Sequence, residues 1–145
     1  MLEDLLNILA SSIGSLTNTT KLENTFRSER HVNISHNTIS AYIDKFIDAF
    51  ILKKVARYDI KGRKYIGAQQ KYFYSDVGLR NARLNFRQQE ENHIMENIIY
   101  NELTARGFSV DVGVIETVIV NTEGKRQHSL LEVDFVCHRG HARYY

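Results

Sequence analysis

Two groups of side chains in this sequence are of types that could do chemistry. The first is Ser35, His36, Asn37, Thr38, Ser40 and Lys45, gathered near the start of an amphipathic stretch, followed by Arg57, Lys61, Arg63 and Lys64. Short polar groups at a helix N-terminus can reach base edges or phosphates, and cations on an adjoining ribbon suit a phosphate backbone. From Lys45 to Lys71 inclusive there are eight Lys/Arg against two Asp/Glu, in a chain whose formal net charge is only +2. The basic character is therefore local, which is the footprint a nucleic-acid surface would leave. The second group is Glu96 and Asp134. Glu96 stands at helical spacing from Ile99 and Leu103, and Asp134 lies in the run Leu130 to Val136. Strict alternation there puts Glu132, Asp134 and Val136 on one side. Carboxylates on such faces need backbone donors or a basic partner such as Arg143, because an unpaired buried charge is costly.

Other chemistries find less support. Cys137, His138 and His141 fall short of the four ligands of a structural zinc site, and the single cysteine excludes an internal disulfide. No Ser/His/Asp or Cys/His arrangement forms a recognisable nucleophile motif, and a lone His93 reads as a surface or capping residue. The eight tyrosines are assigned to core and hairpin packing, since their spacing makes no stacking platform for single-stranded bases. No Gly-rich loop ends in Gly-Lys-Ser/Thr, so ATP hydrolysis by this chain is not expected. Apolar runs fall far short of the ~20 residues that span a bilayer, and acidic residues stand where a secretory signal carries cations. A cytoplasmic protein without a membrane partner is the expectation.

The elements that must position these residues follow from periodicity. Leu2, Leu5, Leu6, Ile8, Leu9 and Ile13 predict a first helix closed by Gly14, and Thr17 to Arg27 a second with Leu22 and Phe26 inward. His31 to Ile34 reads as an extended connection. Ile39, Tyr42, Ile43, Phe46, Ile47 and Phe50 predict a third helix with one apolar stripe, N-capped by Ser35. Leu52 to Tyr58 and Lys71 to Ser75 read as two strands of a hairpin turning at Asp59-Ile60-Lys61-Gly62. A helix from about Glu90 to Arg106 stops at Gly107. Strands follow near Ser109 to Val112, Ile115 to Asn121 and Leu130 to Cys137, with a turn at Asn121-Thr122-Glu123-Gly124-Lys125. Arg143-Tyr144-Tyr145 looks like the start of another strand, which suggests truncation. Residues 1–86 carry thirteen Lys/Arg against eight Asp/Glu and the remainder six against nine, so a boundary is placed near Asn85 to Gln89.

Three blocks carry a family resemblance: Asn37 to Ile43 with Phe50-Ile51-Leu52; Lys71 to Arg80; and His93 to Leu103 with Glu132-Val133-Asp134-Phe135-Val136. In order and spacing the chain resembles the C-terminal region (domain of unknown function 4143) of bacterial and archaeal AAA-type ATPases. Three helices and then a hairpin is the winged-helix order, expected over residues 1–86 of an α+β fold, and the resemblance implies a partial restriction-endonuclease-like unit over residues 87–145. It also implies a separate ATPase domain that would hold ATP and magnesium. In that superfamily Glu96 and Asp134 would match two metal-binding positions, and the third would fall past Tyr145. That third strand is often degenerate in the family, which leaves too few oxygen ligands for Mg²⁺, so the two residues read as a vestigial metal site and no cofactor is expected. The function expected is a non-catalytic, DNA-binding module. The alternatives are docking to the ATPase domain or another partner protein, or a nuclease remnant; an uncovered sheet edge would permit a homo-oligomer.

Overall fold

The computed structural model describes the chain apart from residues 68, 88, 89 and 121–125, so the expected turn at Asn121 to Lys125 and part of the expected boundary lie outside the described residues. The architecture is α+β. Three helices come first, α1 (Leu2–Ser11), α2 (Thr19–Glu29) and α3 (His36–Asp48), then four short strands, β1 (Leu52–Val55), β2 (Arg57–Asp59), β3 (Lys64–Tyr65) and β4 (Lys71–Tyr74). Two helices follow, α4 (Val77–Arg83) and α5 (Glu91–Ala105), then β5 (Ser109–Val120), β6 (Arg126–Arg139) and β7 (Ala142–Tyr144). No helix among the described residues is long and apolar enough to cross a membrane.

Local chemistry sets the helix ends. Asn18 caps α2 by accepting from the Lys21 amide at 2.7 Å, and the Ser35 hydroxyl accepts from the Thr38 amide at 3.2 Å, each satisfying one orphan donor. The end of α3 departs from the expected stripe. Phe50 takes φ 57, its amide bonds Ile47 O, and Ile51 N bonds Phe46 O. This reversal needs a left-handed residue after the cap. Phe50 fills that position and is 84% exposed, so it does not extend the buried stripe. Helix α4 is not foreseen from periodicity. It is one short segment capped by Asp76, and it holds on to α1 through Arg80 Nε to Ala10 O at 2.9 Å and Arg83 Nε to Asn7 Oδ1 at 3.0 Å.

The expected single hairpin is in fact split between two sheets. Strands β1 and β4 pair antiparallel from Leu52↔Tyr74 to Val55↔Lys71. The segment between them forms the β2–β3 hairpin, and β2 pairs in parallel with β5 in a five-stranded sheet of order β3-β2-β5-β6-β7. The turn matches its sequence, since Asp59 Oδ1 accepts from the Lys61 and Gly62 amides as an Asx turn does. Strand β5 runs unbroken through Gly113, where two strands are expected. A Cβ there would stand 2.7–2.9 Å from Val136, Ile60 and Val133, so glycine admits the packing of the outer sheet face. Opposite it the register shifts: Asp111 faces Val136 but Gly113 faces Val133. Asp134 and Phe135 together therefore oppose Val112, a β-bulge that reverses the alternation of side chains.

One apolar cluster runs through both halves, from Leu5, Phe26, Ile39 and Phe46 through Phe73 to Tyr100, Val112 and Cys137. Helix α5 enters this cluster with its polar side. Asn97 is fully buried; its Oδ1 accepts from Tyr74 N at 2.8 Å and its Nδ2 donates to Tyr74 O at 2.7 Å. Asn101 Nδ2 also donates to Tyr74 O at 2.9 Å. The amides thus occupy the open edge of β4 where a further strand would lie, while Met95 and Ile98 on the other side of the helix are 57% and 53% exposed. Asn97→Leu conserves volume but strands the Tyr74 amide. The expected cost is about 1–3 kcal/mol, read as a lower urea midpoint; an unchanged midpoint would refute this role for Asn97.

Candidate functional site

The outward stripe of α3 consists of His36, Asn37, Ala41, Asp44, Lys45 and Asp48, all exposed, while Ile39, Ile43 and Phe46 face the core. Ser35 and Thr38 are engaged in the cap, with their hydroxyl oxygens 3.0 Å apart, and Ser40 is half-buried. Glu23 of α2 covers the helix start: its Oε2 accepts from the His36 amide at 3.1 Å and lies 3.4 Å from the His36 ring, and Oε1 pairs with Arg27. A phosphate at that N-terminus would have to displace Glu23. Beside the stripe, Ser40 and Asp44 border a polar groove with Asn18, Lys54, Gln70 and Tyr72. Burial pushes the Tyr72 hydroxyl up to about 12, so it stays a neutral donor, directed at Gln70 Oε1 3.2 Å away.

The cations of the basic middle divide between interior and surface. Lys53 reaches Asn101 and Thr104 of α5, each at 3.2 Å, and Lys71 is buried. Arg57 is half-buried beside Gln69, and Lys61 lies along β5 with its ammonium 3.4 Å from Glu116 O. Arg63, Lys64, Lys45 and Lys54 are exposed. Arg63 and Lys64 belong to the β2–β3 tip, which pairs with β5, whereas α3 packs on β1.

Glu96 meets a cation that periodicity does not point to. Lys71 Nζ, in a side chain only 4% exposed, lies 2.5 Å from Glu96 Oε1 and 2.7 Å from Glu132 Oε1. Burial disfavours the Lys71 ammonium, but the hydrogen bonds it donates to Glu132 and Glu96 outweigh that and leave its pKa raised. The stability from this pairing is therefore present below the ordinary lysine range and is lost only as pH climbs through the raised value. Gly14 closes over the cluster, since a Cβ there would stand 2.8 Å from Glu96 Oε2 and 3.1 Å from His93 Nδ1. Arg143, the expected partner, instead lies over the Tyr58 ring at 5.1 Å. The bulge sends Phe135 toward Phe73 and Val136 to the opposite face, and leaves Asp134 exposed at the rim of a cleft with Glu96, Met95 and Ile99. Among the described residues no three His, Cys, Asp or Glu side chains are placed to hold a metal ion.

The outer sheet face holds a group of residues that sequence reasoning missed. Asp111 accepts from the Tyr65 hydroxyl at 3.1 Å and lies 3.8 Å from His138 Nε2, with Tyr58 edge-on to both Tyr65 and His138. Only register brings these together, because each comes from a different strand. Burial raises the Asp111 carboxyl from its ordinary value, against the opposing effects of Tyr65 and His138. A raised carboxyl destabilises the charged folded form, so this group's contribution improves as pH falls from neutral through the raised value.

Two outcomes follow. Lys71→Met leaves Glu96 and Glu132 facing each other and is expected to cost about 3–5 kcal/mol in denaturant melts, part of it recovered by adding Glu96→Gln and Glu132→Gln. Asp111→Asn keeps an acceptor for Tyr65 and is expected to raise stability near neutral pH and flatten its rise on acidification. A steeper pH dependence in that variant would contradict the assignment.

Among known proteins, an "Uncharacterized protein" of Haemophilus influenzae (strain ATCC 51907 / DSM 11121 / KW20 / Rd) is 36% identical over 133 residues, 92% of this chain and 33% of that protein. The chain thus spans about a third of the length of that relative. No solved structure matches. The resemblance to the C-terminal region of AAA-type ATPases does not hold, because neither the relative nor the matching family carries that description. The blocks that carried it are short helix and strand patterns, which amphipathic periodicity alone can produce. The family model that does match covers residues 1–90, more than half of the sequence, and the chain belongs to the family described as Domain of unknown function (DUF8612).

Proposed function

We propose that this chain is a non-catalytic module that binds duplex DNA through the outward stripe of α3, with the β2–β3 tip on phosphates. In this reading the three helices and the β1–β4 ribbon form a winged helix, and α5 with β5 and β6 forms a restriction-endonuclease-like unit without its chemistry. The observation that carries the reading is the exposure of His36, Asn37, Ala41 and Lys45 on one side of a capped helix whose other side is core. A rigid rod with a free polar face is what major-groove recognition requires. The acidic members of the stripe, Asp44 and Asp48, flank Lys45 at its C-terminal end, about two turns beyond His36 and Asn37. Because Glu23 covers the N-terminus of α3, phosphate contact falls to Arg63 and Lys64. Lys71 supports the non-catalytic part, since its ammonium engages Glu96, one of the two carboxylates a divalent ion would need.

Anisotropy titrations of a labelled duplex at about 50 and about 200 mM salt test this, because each neutralised phosphate contributes about −0.9 to the log–log slope. The double variant Arg63→Ala, Lys64→Ala is expected to shallow the slope by up to about 1.8 without changing the melt. Asn37→Ala is expected to weaken binding with the slope intact. No binding at about 100 μM in the lower salt would overturn the proposal.

A further inference from the structure

We infer that the outer face of α5 is a self-association surface, on which two copies of this chain pack α5 against α5 in antiparallel, two-fold fashion. Glu91, Met95, Ile98, Ile99, Glu102 and Arg106 fall within about 100° of arc at 100° per residue, and all are exposed. The face is an inverted one. Asn97 and Tyr100 point inward, and the large apolar side chains Met95, Ile98 and Ile99 are 57%, 53% and 41% exposed. Contiguous exposed apolar side chains rimmed by charged ones mark interaction sites.

Charge order selects a second copy as the occupant. Glu91 lies seven residues before Ile98 and Arg106 seven after Ile99, so each is about 11 Å along the helix axis from the midpoint between the two isoleucines. An antiparallel pair with its two-fold axis at that midpoint sets Glu91 beside Arg106 of the second copy, twice. The isoleucines then meet at the centre. A parallel pair would set Glu91 against Glu91 and Arg106 against Arg106. The relief of the face suits such a pair. The ridge of Met95, Ile98 and Ile99 is flanked by a shallow cleft toward α4, lined by Asn81, Glu91 and Ile94, and by another toward β6, lined by Asp134 and Phe135. Ridges of one helix seat in the grooves beside another, and in a two-fold contact the same patch supplies both. The inference is independent of DNA binding, because α3 and the β2–β3 tip lie on other elements.

Size-exclusion chromatography with light scattering on the whole chain tests it. The expected result is a two-chain mass that falls to one chain on dilution. Ile98→Lys, at an exposed position, is expected to give one-chain mass throughout with the thermal melt of the parent diluted to one-chain mass. Arg106→Glu is expected to weaken association about tenfold, and Glu91→Arg added to it to restore the original affinity. A one-chain mass up to about 100 μM would overturn the inference. So would a dimer that both Ile98→Lys and the charge reversal leave intact, which would point to a sheet edge at β7 or β3.

Discussion

The open edge of β4 is the constraint on which the rest of the structure depends. Strand β4 pairs with β1 on one side only, yet it lies at the centre of the molecule, where its remaining backbone groups cannot reach water. Asn97 answers Tyr74 with both an acceptor and a donor, and Asn101 adds a second donor. A buried amide or carbonyl without a partner would cost as much as a lost hydrogen bond, so α5 must present its asparagines inward. Its aliphatic residues are thereby turned outward. The orientation of a whole helix is set by the hydrogen-bond demand of one strand.

The same strand supplies Lys71, which joins α5 through Glu96 to β6 through Glu132. One ammonium between the largely buried Glu96 and the exposed Glu132 gives both carboxylates a partner, and it ties the helical first half to the sheet of the second. Lys53 of β1 makes a parallel tie to Asn101 and Thr104. Two of the eight cations that make the middle of the sequence look basic are thus internal fasteners. The exposed cationic surface is smaller than the charge count implies and lies on the β2–β3 tip, Lys45 and Lys54.

The bulge at Asp134 and Phe135 decides the fate of the other carboxylate. Strict alternation would place Glu132, Asp134 and Val136 together, but two residues opposing Val112 reverse the pattern partway along. Phe135 reaches the core, Val136 joins Val133 over Gly113, and Asp134 is left at the surface. A one-residue slip in a strand moves every later side chain to the opposite face, and no local signal in the run Leu131 to Val136 announces it.

The sequence by itself determined the three N-terminal helices, the Ser35 cap, the exposed stripe of α3, the Asx turn at Asp59 and the stop at Gly107, because each depends on contacts within a few residues. It also carried the type of each chemistry-bearing side chain. Only the tertiary structure decided that the expected hairpin divides between two sheets, that Phe50 leaves the core, that Lys71 and not Arg143 meets Glu96, and that α5 buries amides while exposing isoleucines. Each of those outcomes turns on satisfying a buried polar group or on strand register. Both are settled between residues far apart in the chain, where periodicity has nothing to read.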